Sequence, residues 1–211
     1  FMFSLLSKIS LPLLGILMTI SLYMIFNYAP KEKIMGDVQR IFYFHMGYVL
    51  VFTVAFIINL IYSVRFLLGN NNEHSRIAYG NAEIGVLFTL LTIVSGMFWA
   101  KPVWGTWWTW DPQLTTTFIL FLLYSSYLIF HKLSTKVGVP KYAAVFAIIS
   151  FIDLPIVYIS VRVMRGVSPV VFGGEGGGIS PAMMETLLVT LGAFLFLYIY
   201  LISLRLKLDK K

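Results

Sequence analysis

Five tryptophans, Trp99, Trp104, Trp107, Trp108 and Trp110, are all that this 211-residue chain contains, and they fall within twelve positions. The segment closes on Asp111-Pro112, and an uncharged apolar run follows at once. An indole has a large flat apolar face and one N–H donor, so it suits places where one end is dry and the other wet. Interfacial anchoring accounts for one or two such residues. It does not account for five on one segment and none elsewhere. Gathered near a membrane surface, they could form a platform for a large flat ligand: a tetrapyrrole, a quinone or an aromatic lipid. Asp111 has a local reading that needs no ligand. Its carboxylate suits the N-cap of a helix, and Pro112 suits the first helical position, where a missing N–H costs nothing.

Histidine separates the ligand candidates, because imidazole is the usual protein ligand of haem iron. The chain has three: His45, His74 and His131. His74 and His131 are expected on loops at the far side from the Trp segment, in solvent. His45 is expected one turn into the second apolar run, on the same side as the indoles. A single buried histidine is more often a hydrogen-bonded packing residue than a ligand. Here it is the one imidazole that shares a leaflet with the Trp cluster. Arg40, Lys101 and Arg162 lie on that side and could meet haem propionates.

The elements that must position these residues are membrane spans. The chain is 59% hydrophobic and 12% charged, with a mean hydropathy of +0.85; a soluble domain has about 25% charged residues. A spanning helix needs about 20 mainly apolar residues. Six stretches meet this: Ile9–Ala29, Ile41–Val64, Ile84–Ala100 (extended back to Ile77), Pro112–Phe130, Tyr142–Val161 and Pro181–Leu204. Short connections imply one all-α integral membrane domain over residues 1–211, a six-helix bundle with a Trp-rich loop at 99–113. The first run is expected to be a retained span. An even count puts both termini on one side. Ten Lys and Arg residues near helix ends fall on that side, among them Lys132, Lys136 and Lys141, and six on the other, among them Lys31 and Lys101. By the positive-inside rule both termini are cytoplasmic and the Trp segment faces outward.

The formal net charge of +7 is spread over short loops, so it reads as a topology signal and not as a nucleic-acid surface. The absence of cysteine excludes disulfides, Cys-ligated zinc and thioether attachment of haem to this chain. The glycine run at 173–178 lacks the strand and the Lys-Ser/Thr of a phosphate cradle, and reads as a flexible loop. Asp153 and Glu185 lie inside predicted spans, where acids are costly and often functional. Pro155, two residues after Asp153, predicts a kink. Structural and functional roles are weighed equally for both acids, whereas Glu83 is expected near the far interface as an end residue.

The run Trp104-Gly105-Thr106-Trp107-Trp108-Thr109-Trp110-Asp111, followed by Leu114-Thr115, resembles the Trp-rich signature of the haem-handling membrane proteins of cytochrome c maturation. Six spans and this length resemble the CcmC family (haem exporter protein C) more than its larger relatives. Gln39-Arg40-Ile41-Phe42-Tyr43-Phe44-His45, Lys101-Pro102 and Leu154-Pro155 are similar to that family's pattern as well. The resemblance covers essentially the whole chain. It implies a multi-pass protein of the inner (cytoplasmic) membrane that holds haem b, as transient cargo, at the outer, periplasmic face. It further implies loading onto a membrane-anchored haem chaperone (CcmE-like), with ABC transporter subunits (CcmA/CcmB-like) and a small single-span subunit (CcmD-like). By resemblance, His45 is an axial ligand, Trp104, Trp107, Trp108 and Trp110 shape the platform, Asp111 starts the following helix, and Arg40 supplies charge.

Two positions depart from the family pattern. Ser168, in Val167-Ser168-Pro169, stands where the family has a second histidine, and serine is a poor iron ligand. Five-coordinate iron, water, Met164 or Met183 stay open. Gln113 replaces a basic residue. No Walker-type motif or nucleophile–base–acid set suggests intrinsic catalysis. Two other readings stand beside haem handling: a small-solute transporter or channel subunit, motivated by Asp153, Glu185 and the interrupted fifth span, and an assembly subunit that docks partners through its Trp face.

Overall fold

The computed structural model describes residues 2–32, 35–163 and 179–208. Among them there are seven α-helices: α1 (Met2–Tyr23), α2 (Arg40–Gly69), α3 (Asn72–Trp104), α4 (Pro112–Lys136), α5 (Pro140–Phe151), α6 (Asp153–Val163) and α7 (Pro181–Leu208). They supply six helical stretches long and apolar enough to cross a membrane, with α5 and α6 sharing one, Pro140–Ser160. The six-helix, all-α architecture read from hydropathy is therefore the one observed.

Local chemistry sets the helix ends. Asn70 ends α2 in the left-handed region, at φ 51°, and the Asn71 side chain caps α3 by accepting from the Glu73 N–H at 2.9 Å. Asparagine tolerates both roles, which is why two residues suffice to reverse the chain. At the other end of α3 the helix continues through Pro102 to Trp104. Gly105 then adopts φ +75° and its N–H bonds the Lys101 carbonyl at 3.0 Å, a left-handed cap that glycine takes without steric cost. Helix α3 therefore absorbs Trp99 and Trp104, and the non-helical Trp connection is 105–111.

The fifth span is broken, as Pro155 predicts. Proline has no N–H for the Phe151 carbonyl, and its ring crowds that oxygen. The chain answers with a tighter turn, in which the Ile152 N–H reaches the Ile149 carbonyl at 3.1 Å. Asp153 sits at this break, 8% exposed, and its Oδ2 has no hydrogen-bond partner among the described residues.

Helix α2 is the centre of the bundle and packs against α3, α5 and α7. In a membrane, lipid tails are as apolar as leucine, so close backbone approach and shape hold the helices together. Gly85 of α3 lies against Phe56 of α2: a Cβ there would come within 2.3 Å of the Phe56 ring. Phe56 cannot retreat, because Tyr124 of α4 stacks on it at 3.6 Å. Gly47 of α2 meets Phe194 of α7 in the same way, at 2.4 Å.

Away from the Trp segment the bundle carries a polar network. Glu83 of α3 pairs with Arg205 of α7. The Tyr198 hydroxyl donates to the Asn81 side-chain oxygen Oδ1, and the Asn59 side-chain amide donates to the Ala78 backbone carbonyl at 2.8 Å. His74 and His131 lie on helices, not in solvated loops. His74 meets the ring of Tyr62 edge-on at 5.6 Å. His131 stacks on Tyr79 at 4.6 Å, and its Nε2 bonds the Ser75 hydroxyl at 2.9 Å. Their expected place in water fails because α3 begins before His74 and α4 runs on past His131, beyond the apolar runs that mark the spans. Glu83 is likewise a paired group between helices and not a free end residue.

Candidate functional site

The site builds up from His45, on the second turn of α2. Its Nδ1 lies 3.0 Å from the Ser95 Oγ of α3. The Ser95 hydroxyl lies 3.1 Å from the Thr92 carbonyl one turn back and donates to it. The imidazole edge rests on Gly96, where a Cβ would stand 3.5 Å from His45 Cε1. Among the described residues no hydrogen bond engages Nε2, and no aromatic ring pairs with the imidazole. Nor do three or more His, Cys, Asp or Glu residues gather, among the described residues, to hold a bare metal ion. A haem site needs no such group: one imidazole nitrogen with a lone pair can meet an iron already held by a porphyrin.

Thr92, Ser95 and Trp99 follow one another on one face of α3, because residues three and four apart line up on a helix. Trp99 thus stands one turn beyond the serine that holds His45. Its indole N–H is buried without a partner among the described residues, and its ring meets Trp104 edge-on at 5.3 Å. Ser95 joins the site through the fold, beyond the residues that the sequence alone assigns to it, and it does so on the helix face that carries Trp99. The spacing of four within a helix is the signal that links them.

The remaining indoles split into two groups. Trp107 folds back onto α3, edge-on to Phe98 at 5.7 Å, with the Lys101 ammonium 5.9 Å from its ring centre. Lys101 also donates to the Gly105 carbonyl at 3.0 Å. Trp108 and Trp110 pack on α4: they meet each other edge-on at 5.5 Å and both meet Phe118. The Trp108 N–H is buried and, among the described residues, unpartnered. Trp107 and Trp110 are 47% and 73% exposed. Edge-to-face packing is the favoured geometry for aromatic pairs. The segment is therefore two braced aromatic corners with exposed faces, not one flat stack.

Asp111 does what its position predicts. Its Oδ1 accepts from the Leu114 N–H at 2.9 Å and Pro112 occupies the first helical position. The cap joins the second aromatic corner rigidly to α4.

Other predicted residues lie apart from His45. Arg40 pairs with Asp37 at 3.1 Å, and its guanidinium lies over Phe26 at 5.4 Å. Five residues of helix turn it about 140° from His45, toward the π-helical turn Met24–Tyr28 that follows α1. Asp37 also takes Lys31 at 2.9 Å, so this group of three keeps one net positive charge. Met183 packs with Ile25, Tyr43 and Leu187. Tyr43 and His45 project from nearly opposite faces of α2, so Met183 is not on the Ser95 side. Ser168, Met164, the glycine run at 173–178 and the side chain of Arg162 lie outside what the structure describes. Glu185 accepts a hydrogen bond from the Tyr28 hydroxyl at 2.6 Å, which gives that acid a partner at the end of the first span.

Comparison with known proteins fits this arrangement. A ccmC-like mitochondrial protein of cytochrome c biosynthesis from Arabidopsis thaliana is 33% identical over 193 residues, 91% of this chain and 73% of the relative. A ccmC-like protein from Marchantia polymorpha is 34% identical over 182 residues, 86% of this chain and 78% of its own. Heme exporter protein C of Haemophilus influenzae is 30% identical over 194 residues, 86% of this chain and 75% of its own. A family model described as heme exporter protein C matches residues 2–210, and by that match this chain belongs to the CcmC family.

Proposed function

We propose that this chain binds haem at the outer face of the membrane and presents it to a haem chaperone during cytochrome c maturation. The single observation that carries this reading is the pairing of His45 with Ser95 through Nδ1, beside a face of α3 that leads directly to Trp99 and Trp104. Family membership and the names of the relatives support haem and cytochrome c assembly as the setting. Haem is cargo here. His45 supplies the axial nitrogen, the braced indoles supply apolar faces, and the buried Trp99 and Trp108 N–H groups supply donors. The Lys31–Asp37–Arg40 group places positive charge at the same end of the bundle, where propionates would lie. The excess of Lys and Arg at the other helix ends supports cytoplasmic termini and an outward Trp end. The exposed faces of Trp107 and Trp110 suit transfer to a partner, because a cargo that must leave cannot be enclosed.

The test is a haem titration of the purified protein, followed in the Soret region. Saturable binding that weakens and shifts in His45→Ala is expected. Protein that never takes up haem, or a variant whose spectrum matches the parent, would sink the reading.

One observation favours a second reading. The buried Asp153 Oδ2, without a partner among the described residues, lies at the break between α5 and α6, and such a break resembles the interrupted helices of transporters. Loss of solute flux in Asp153→Asn, with haem binding intact, would support it.

A further inference from the structure

The hydroxyl of Ser95 carries one hydrogen. The bond from Ser95 Oγ to the Thr92 carbonyl, 3.1 Å away, uses that hydrogen. What Ser95 Oγ then offers to His45, at 3.0 Å, is a lone pair. In that arrangement the nitrogen facing it supplies the hydrogen. A neutral imidazole has one N–H and one lone pair, so a hydrogen on Nδ1 leaves Nε2 as the lone pair. Gly96 against Cε1 limits rotation of the ring on that side without filling the space.

We propose that Ser95 is a positioning residue: it holds His45 in the Nδ1–H tautomer, so that Nε2 meets an incoming haem iron already deprotonated. The proposal rests on the reading that His45 ligates iron. The chemistry is that of a metal-bound histidine whose second nitrogen is fixed by an outer partner, which orients the ring and raises its basicity. No proton then has to leave Nε2 before the iron–nitrogen bond forms. A ligand for transient cargo gains from this, since each loading cycle starts from an empty site.

Histidine labelled with 15N and 13C in the full chain, purified in detergent, reports the tautomer without haem. The His45 signals are assigned by their loss in His45→Ala. The parent is expected to show the Nδ1–H form. Ser95→Ala, a change that a helix interior accepts readily, is expected to move His45 toward the Nε2–H form and to weaken haemin binding about tenfold. Ser95→Thr, which keeps the hydroxyl, is expected to restore both. A parent in the Nε2–H form, or a Ser95→Ala variant with parental tautomer and affinity, would overturn the proposal. If His45→Ala leaves the haem spectrum unchanged, the parent reading fails, and the iron-facing half of this proposal goes with it whatever the tautomer.

Discussion

Each end of the bundle has a histidine bonded to a serine of α3, and the two differ in which ring nitrogen is used. At the Trp end, His45 reaches Ser95 through Nδ1. At the opposite end, His131 reaches Ser75 through Nε2, and its ring is stacked on Tyr79 and edge-on to Tyr127. Nε2 is the nitrogen that projects farthest from the backbone, and it is the one an external ligand can reach. His131 has committed it to a neighbouring helix and packs its ring against two tyrosines. His45 keeps it. The two ends therefore teach that a histidine count says little about a ligand site; the bonds of each nitrogen decide.

The comparison breaks most sharply if the two histidines are removed in turn. His45→Ala is expected to remove most of the haem-dependent Soret absorbance with little loss of thermal stability. His131→Ala is expected to leave the haem spectrum intact and to destabilise the bundle by about 2 kcal/mol, from one hydrogen bond and an aromatic contact. Absorbance titration and thermal unfolding in detergent read the two effects separately. Equal loss of haem in both variants would end the distinction between the ends.

Packing between the ends comes next. Gly85→Ala drives a methyl group into Phe56, which is held by Tyr124. Overpacking of this kind costs about 1–3 kcal/mol, and a fall in thermal midpoint should show it. Since α2 also carries His45, haem affinity should fall as well if the register of α2 on α3 sets the site. Unchanged stability would mean that the core is looser than these distances imply.

Asp111→Ala is a smaller change, with an expected cost of about 1 kcal/mol from loss of the helix cap. Hydrogen exchange at Leu114 should quicken while exchange near Ser75 does not. Smallest in stability is Trp110→Ala. At 73% exposure the ring should contribute no more than about 0.5 kcal/mol. A clear loss of haem transfer or partner capture in that variant, at parental stability, would mark the indole as functional.

The elements are legible in the sequence wherever the cause is local. Six apolar runs mark six spans because every backbone group in lipid must bond within its own helix, and length then follows from bilayer thickness. Asp111-Pro112 predicts its cap because the groups involved are three residues apart. Pro155 predicts the broken span for the same reason. The helical ends at Asn72 and Trp104 are less legible. Polar residues and Pro102 argue for loop when read singly, while the caps at Asn71 and Gly105 extend the helix past them.

What the sequence determined alone is the all-α membrane architecture, the crowding of indoles beside one helix start, and the single histidine near them. These depend on composition and on neighbours a turn apart. What only the tertiary structure decided is which groups meet. Ser95 lies 50 residues from His45, and Glu83 lies 122 from Arg205. The indoles part into one corner on α3 and one on α4, and Arg40 turns toward Phe26 at the end of the first span. No local propensity encodes such pairings. They follow from close approach of glycine-bearing helix faces and from the need of buried polar groups for partners.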